Sequence, residues 1–167
     1  MSQEKTVLKD MARKRGGVYS GGLFSAPKLT LKLNNADVVI FFKKEKGGQH
    51  TRMEYRLPSK KIKKLALYPQ RYGSLSVIPG DKVQDILTGD AGFDRQYLVQ
   101  GKDSSQVQEF LSDQIRARLL EMKELYPVLK IDDGHFQFYA PKVLASEEEI
   151  SLFVDAGFES IRQALKF

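Results

Sequence analysis

The first fifteen residues carry apolar side chains at the spacing of a helix. These side chains stand three or four positions apart and belong to Val7, Leu8, Met11 and Ala12. Ser2 stands where a helix cap is expected, and Gly16 supplies the left-handed conformation that commonly ends a helix. The pattern therefore predicts a helix over residues 3–15, with one face packed against the rest of the chain.

The period of the apolar residues changes to two in the next part of the chain. The alternation runs through residues 29–33, 38–42 and 51–57 and is typical of strands that bury one face. Asn34 and Gly47 begin residue pairs that separate these segments and tolerate the positive φ of tight turns. The three segments therefore predict an antiparallel meander.

Short apolar segments continue the strand pattern beyond the meander. Residues 62–67 and 75–78 predict two more strands, and lysines near the first of them discourage association through a strand edge. Asp81 and Gln84 have the spacing of a capping box. That spacing predicts a short helix over residues 83–87.

The most regular amphipathic pattern lies in the second half of the chain. Its apolar residues are Val107, Phe110, Leu111, Ile115, Leu119 and Met122. Asp103 and Gln106 provide a capping signal where it begins. The sequence from Gly92 onward thus predicts a short strand, a turn and one helix of about five turns, whose apolar stripe covers the strands.

A hairpin and a last helix are predicted to complete the chain. Residues 128–131 and 136–139 are apolar, and the Asp-Asp-Gly sequence at 132–134 fits the two positive φ angles of a type I′ turn. Ser146 and Glu149 form another capping box. The helix that follows has an apolar stripe formed by Ile150, Phe153, Val154, Phe158, Ile161 and Leu165.

Together these elements predict an α+β fold with an antiparallel β-meander and helices packed mainly on one face. A helix precedes the meander, and a β-α-β-β-α segment forms the C-terminal part. The 167 residues, of which 41% are hydrophobic, suit a single domain over residues 1–167 that needs neither disulfides nor a metal. A division into subdomains would fall near residues 89–92.

The sequence offers few residues for catalysis. It contains no cysteine, which excludes a disulfide framework, a thiolate nucleophile and cysteine-ligated metals. Asp132, Asp133 and His135 combine carboxylates with an imidazole, but adjacent positions of a hairpin turn point in different directions. His50 is interpreted as a solvated residue at a strand end. We therefore predict a protein that is not an enzyme, with no catalytic residue, cofactor or metal.

No run of about eighteen apolar residues occurs, so no membrane-spanning helix is predicted. The N-terminus lacks the apolar core of a signal peptide. If Met1 is the natural start, these features predict a cytoplasmic location, and they leave peripheral contact with a membrane open.

Charge is divided unevenly between the two halves. Residues 1–90 carry 18 Lys and Arg against 8 Asp and Glu, whereas residues 91–167 carry 9 against 13. Such a division indicates an anionic partner, or oppositely charged surfaces that attract each other or a second subunit. The candidate anion-contact surface consists of Lys43, Lys44, Lys60, Lys61, Lys63 and Lys64. If these lysines share one end of the meander, they offer a single basic patch to nucleic acid or acidic lipid.

One motif in the second half begins with Phe-Asp. Two variable residues follow, then an aromatic residue, one more variable residue and a Val. An Asp and a leucine-rich helix come after it. The residues that form it are Phe93, Asp94, Tyr97, Val99, Asp103, Leu111, Leu119 and Leu120. This motif, within residues 92–140, resembles an uncharacterised bacterial family of domains of unknown function. Its members often accompany transmembrane segments, so the resemblance implies a membrane-associated setting. It implies no catalytic or binding residue.

The sequence as a whole favours a non-catalytic accessory or interaction domain, with another protein or a second copy of the chain as partner. One alternative is an anion-binding module that contacts nucleic acid or acidic lipid through its basic first half. Another is an enzyme without a recognisable motif.

Overall fold

The computed structural model describes residues 2–70 and 84–167, and the strands within these residues form one antiparallel sheet. They are β1 Val18–Ser20, β2 Lys28–Leu33, β3 Ala36–Glu45, β4 Gly48–Arg56, β5 Leu65–Pro69, β6 Gln84–Asp85, β7 Tyr97–Gly101, β8 Val128–Asp132 and β9 His135–Ala140. Their order across the sheet is β1-β2-β3-β4-β9-β8-β5-β7-β6. The predicted meander thus forms one half of the sheet, and the β8–β9 hairpin joins it to the other half.

The described residues form five α-helices, two of which lie near the ends of the chain. They are α1 Gln3–Arg15, α2 Ala91–Gln96, α3 Ser104–Phe110, α4 Asp113–Glu121 and α5 Glu147–Ala164, with a 3-10 turn at Lys123–Leu125. Gly16 ends α1 in the left-handed conformation, with φ of 68°. The Ser146 hydroxyl accepts a hydrogen bond from the Glu149 amide and caps α5. Both terminal helices therefore begin and end close to where the sequence predicts.

The two predicted hairpin turns have the backbone that their residues favour. Asn34 and Asn35 join β2 to β3 with φ of 49° and 62°. Asp133 and Gly134 join β8 to β9 with φ of 49° and 77°. A type I′ turn requires two positive φ angles in succession, so both turns are confirmed.

The helices pack on one face of the sheet, which we call the covered face. Phe138 of β9 stacks on Phe153 of α5, with ring centroids 4.9 Å apart. Gly157 brings α5 close to the sheet, since a Cβ at this position would lie 2.4 Å from Sδ of Met53. On α4, the Leu119 carbonyl accepts a hydrogen bond of 2.6 Å from the Tyr97 hydroxyl. These contacts confirm the predicted α+β fold with helices on one face.

The predicted five-turn helix is divided into α3 and α4. Leu111 leaves the helical conformation, with φ of −80° and ψ of 57°, and the Ser112 hydroxyl accepts from the Ile115 amide to start a new helix. Arg116 donates a hydrogen bond of 2.6 Å to the Leu111 carbonyl, which the break leaves without a helical partner. The prediction of one helix is therefore wrong, because Ser112 caps within the pattern. The apolar stripe is nevertheless buried along its whole length.

Two smaller predictions also need correction. The strand predicted after Gly92 is present as β7 but begins only at Tyr97. Residues 91–96 before it form a helix, because the Asp90 carboxylate accepts from the amides of Gly92 and Phe93 and closes a helical turn. The described part of the predicted helix over 83–87 contains strand β6, whose residues pair with β7. The predicted strand over 75–78 and the capping residue Asp81 lie outside the described residues.

Candidate functional site

The side of the sheet opposite the covered face carries a mixture of aromatic, cationic and small apolar side chains. We call this side the open face. Strand alternation places on it Val39, Phe41, Arg52, Glu54, Ala66, Tyr68, Val128, Lys130, Gln137 and Tyr139. Ala66, Tyr68 and Val128 are buried together and form an apolar cluster of their own, separate from the main core.

Two cations of the open face lie over aromatic rings. The Arg52 guanidinium is 4.6 Å from the ring centroid of Tyr139. The Lys130 ammonium lies 5.3 Å from the ring centroid of Tyr68 and 5.9 Å from that of Tyr139. Contacts of this kind attract a cation to the face of the ring and also remove it from water.

Glu45 is the described carboxylate that forms an ion pair with Arg52. Its carboxylate accepts a hydrogen bond from Arg52, lies 3.4 Å from Nζ of Lys43 and lies 3.2 Å from Nδ1 of His50. Burial alone would raise the pKa of Glu45, but Arg52, Lys43 and His50 together bring this pKa below its ordinary value. Nε of Arg52 is buried and has no acceptor among the described residues. The burial of this donor without an acceptor leaves the positive charge of Arg52 incompletely compensated.

Lys130 differs from Arg52 because no described carboxylate forms an ion pair with it. Burial, and then the positive charge of Arg52, lower the pKa of Lys130, while Glu45 raises it to a smaller extent. The ammonium is therefore partly desolvated without the charge partner that a buried lysine usually has. Within the described part of the chain, Lys130 therefore lacks a carboxylate partner, and Nε of the neighbouring Arg52 lacks an acceptor although the same guanidinium pairs with Glu45.

Two shallow grooves of about 500 Å³ each cross the open face and meet at His135. The first is lined by Lys64, Ala66, Lys130, Asp132, His135 and Gln137. The second is lined by Lys28, Asp37, Val39, Phe41, Glu54 and Arg56, again with His135. The grooves extend across the sheet from β2 to β5, a width of about 24 Å at the usual strand spacing.

The lysines of the predicted anion-contact surface do not lie together. Lys43 and Lys44 of β3 pair with His50 and Gln49 at the start of β4. The remaining four, Lys60, Lys61, Lys63 and Lys64, follow the other end of β4. A strand of nine residues separates the two groups by about 30 Å. They therefore do not form the single patch that the sequence hypothesis required.

The lysines that follow β4 contact the acidic second half of the chain. Nζ of Lys60 is 2.8 Å from the Asp133 carboxylate, which lowers the pKa of Asp133. Lys64 lies 3.5 Å from Asp132 and is only 16% exposed. Lys63 is 4.0 Å from Asp103, and Lys61 makes no ion pair with a described residue. Most of these cations are thus engaged within the protein.

The basic residues Arg13, Lys14 and Arg15 form a further cluster in the first half of the chain. Two of them also pair with acidic residues of the second half. Lys14 pairs with Glu147 and Arg15 with Asp155, so that both cations join α1 to α5. Much of the charge division between the two halves therefore reflects surfaces of one chain that attract each other, as one of the sequence alternatives proposed. Contact with nucleic acid or acidic lipid stays a prediction.

The two histidines lie at opposite ends of the paired strands β4 and β9. His50 stacks on Tyr139 with centroids 5.8 Å apart and contacts Glu45, so it is not the solvated residue that the sequence suggested. Asp132 pairs with His135 across the hairpin, and Lys60 engages Asp133. Among residues 2–70 and 84–167, no group of three His, Cys, Asp or Glu is arranged to hold a metal ion. None of the described helices is long and apolar enough to cross a membrane.

Sequence reasoning missed the residues that meet on the open face. Arg52, Lys130 and Tyr139 lie within predicted strands, and the sequence pattern assigns none of them a role in binding. A signal was present, because each occupies the polar side of an alternating strand. The register that brings Arg52 opposite Tyr139 depends on the pairing of β4 with β9, which no local pattern specifies.

Comparisons with known proteins bear on the fold. No protein-family model matches the chain, and no curated protein matches it. Among solved structures it is similar to the crystal structure of the mycobacterial trehalose monomycolate transport factor A, TtfA, with a TM-score of 0.60 and 12% sequence identity. The match covers 99% of this chain and 94% of that one. The chain therefore shares its overall fold with this transport factor.

Proposed function

We propose that this protein is a non-catalytic interaction domain that binds an acidic segment of a partner protein on the open face of its sheet. The observation that carries the proposal is the pair of neighbouring donors on that face. Nε of Arg52 is buried without an acceptor, and Lys130 is partly desolvated without a carboxylate, within the described residues. A carboxylate bound beside Lys130 would supply the acceptor that Lys130 lacks and would also offset the positive charge of Arg52.

The electrostatics favour an anion at this position. The pKa of Lys130 is lowered by burial and by Arg52, which means that the two positive charges oppose each other across the face. A carboxylate bound here would offset the repulsion between Lys130 and Arg52. A hydrogen bond to a charged group also contributes about 1.5–3 kcal/mol to the free energy of an interaction. The rings of Tyr68 and Tyr139 offer flat apolar contact beside the charge.

The shape favours an elongated ligand. The two grooves lie side by side across the strands and share His135. Their combined width of about 24 Å corresponds to roughly seven residues of extended chain. The fold similarity to a protein named as a transport factor is compatible with an accessory role and concerns the fold alone.

The test uses poly-L-glutamate, a polypeptide whose side chains are all carboxylates, titrated calorimetrically at 50 mM NaCl. Lys130→Gln removes the proposed contact, whereas Lys123→Gln removes one exposed lysine elsewhere and serves as the matched control. We expect Lys130→Gln to bind about tenfold more weakly, the equivalent of one charge-assisted hydrogen bond. The control should bind like the wild type.

Amide chemical shifts recorded during the titration locate the bound polymer. The expected changes lie on β4, β8 and β9 around Arg52, Lys130 and Tyr139. Equal affinity of both variants, or shifts confined to the exposed lysines, would contradict the proposal. Thermal unfolding of Lys130→Gln checks that weaker binding does not come from a loss of folded protein.

A further inference from the structure

The loop between β1 and β2 exposes two large apolar side chains that do not pack in the core. Leu23 and Phe24 are 94% and 103% exposed, respectively, relative to the same residues in an extended chain. Single exposed apolar residues are ordinary on protein surfaces, but two neighbouring ones at a loop tip form a small apolar projection. Such a projection favours burial in an apolar environment outside the protein.

The loop has its own internal structure. The Gly22 amide donates a hydrogen bond of 2.7 Å to the Ser25 hydroxyl. Gly21 has φ of 156°, and a Cβ there would lie 2.9 Å from Oη of Tyr19 and 3.0 Å from Cα of Pro27. The chain is thus turned tightly at the base of the loop, and Leu23 and Phe24 project from it.

The end of the sheet beside this loop is rich in lysine. Lys28 follows the loop and pairs with Phe41, so β3 continues past it to Lys43 and Lys44. These three lysines and Lys46 in the next turn are exposed. Glu45, the carboxylate among them, is already engaged by Arg52, Lys43 and His50. The surface around the apolar loop therefore has an excess of positive charge.

We propose that this end of the sheet docks on an anionic lipid bilayer. Leu23 and Phe24 enter the boundary between headgroups and acyl chains, and Lys28, Lys43, Lys44 and Lys46 face the acidic headgroups. Lys28 also lines the second groove of the open face. The apolar loop and Lys46 lie outside that face, so the two proposals can be tested with separate variants.

The size of the apolar projection selects a bilayer over a protein as its partner. A stable protein interface buries about 800 Å² on each side around an apolar core, which two side chains do not provide. A bilayer accepts a small apolar insertion and adds attraction for each lysine near an anionic surface. The combination of a short apolar tip and four exposed lysines at the same end of the sheet matches these two contributions.

The experiment exploits the absence of tryptophan from the chain. In the Phe24→Trp variant the emission spectrum reports on residue 24 alone. We expect a shift to shorter wavelength on addition of vesicles of 70% phosphatidylcholine and 30% phosphatidylserine, and none with vesicles of phosphatidylcholine alone. Lipids brominated on the acyl chains should quench the emission.

Co-sedimentation with the same vesicles measures affinity. We expect Leu23→Ser combined with Phe24→Ser to weaken binding at least tenfold. Lys43→Gln combined with Lys44→Gln should weaken it roughly 25-fold, about fivefold for each lysine. Leu87→Ser is the control for an exposed apolar residue elsewhere, since Leu87 is 79% exposed, and Lys123→Gln is the control for charge. Both controls should bind like the wild type.

Three results would overturn the proposal. The first is the absence of wild-type binding to the phosphatidylserine vesicles, and the second is undiminished binding of the Leu23→Ser, Phe24→Ser protein. The third is an emission shift of the Phe24→Trp variant that follows protein concentration and not lipid, which would assign the loop to a contact between copies of the chain. Loss of poly-L-glutamate binding in Lys130→Gln, with vesicle binding retained, separates this proposal from the preceding one.

Discussion

The two faces of the sheet are built from alternate residues of the same strands, yet different interactions hold them. On β9, Phe136 and Phe138 are fully buried on the covered face, and Phe138 stacks on α5. Between them Gln137 points to the open face, and Tyr139 follows with Arg52 over its ring. Shape and apolar burial stabilise one face, whereas charge and aromatic contacts organise the other. The covered face thus holds most of the apolar packing, and the open face is the surface on which binding is proposed.

The largest expected effect tests this contrast within one strand. Phe138→Ala should reduce the free energy of unfolding by about 3–5 kcal/mol, because it removes a buried ring and leaves a cavity beside Phe153. Gln137→Ala, the adjacent residue on the open face, should change it by no more than about 0.5 kcal/mol. Chemical denaturation of both variants gives the comparison. Similar losses would mean that the two faces contribute equally to stability.

The next effect concerns the helices that cover the sheet. Leu111→Ala, Ile115→Ala and Leu119→Ala should each cost about 2–5 kcal/mol, because all three side chains are buried on both sides of the break between α3 and α4. Denaturation in urea measures the loss. Values below about 1 kcal/mol at all three positions would show that α3 and α4 contribute little to the core.

A smaller effect is expected on the open face. Tyr139→Leu keeps an apolar side chain but removes the ring beneath Arg52 and beside Lys130. The expected loss is about 1 kcal/mol, the range of cation–π contacts at partly exposed sites. Phe136→Leu, on the covered face of the same strand, is the matched comparison and should cost more. A larger loss of stability in Tyr139→Leu than in Phe136→Leu would contradict the proposed difference between the faces.

The smallest effect is a pH dependence. The pKa of Lys130 is lowered, so between this lowered value and the ordinary pKa of about 10.4 the unfolded chain binds more protons than the folded one. The stability of the wild type should therefore rise relative to Lys130→Gln as the pH increases through that window. Burial raises the pKa of the neighbouring Tyr68, so both proteins are best compared with Tyr68→Phe present. Parallel pH profiles would show that Lys130 is fully solvated.

The sequence predicts elements whose signals are local. The Asp-Gly turn of the β8–β9 hairpin and the Ser146 cap of α5 each require only a few neighbouring residues, and both are confirmed. The division of α3 from α4 was missed because the apolar spacing continues in phase across Ser112, while the local cap interrupts the backbone. Periodicity records which side is buried, and it does not record whether the helix is continuous.

The candidate site is harder to predict because it depends on distant pairing. Arg52 meets Tyr139 only through the β4–β9 register, and Lys130 meets Tyr68 only because β8 lies beside β5. The lysine clusters failed as one patch for the same reason. Both lysine clusters are close to β4 in sequence. The sequence does not show that they lie at opposite ends of this strand.

The sheet order also determines when the chain can complete its fold. β4 lies between β3 and β9 in the sheet. β3 precedes β4 directly, but β9 comes much later in the chain. Near β9, the Lys142 carbonyl accepts a hydrogen bond from Thr51 of β4, and 91 positions of sequence separate these two residues. At ribosomal rates of about 5–20 residues per second, that edge of β4 waits roughly 5–18 s for its partner. An unpaired strand edge is a template for association between nascent chains. Every second residue of β4 from position 52 is charged, namely Arg52, Glu54 and Arg56. These charges oppose such association while the partner strand is still being made.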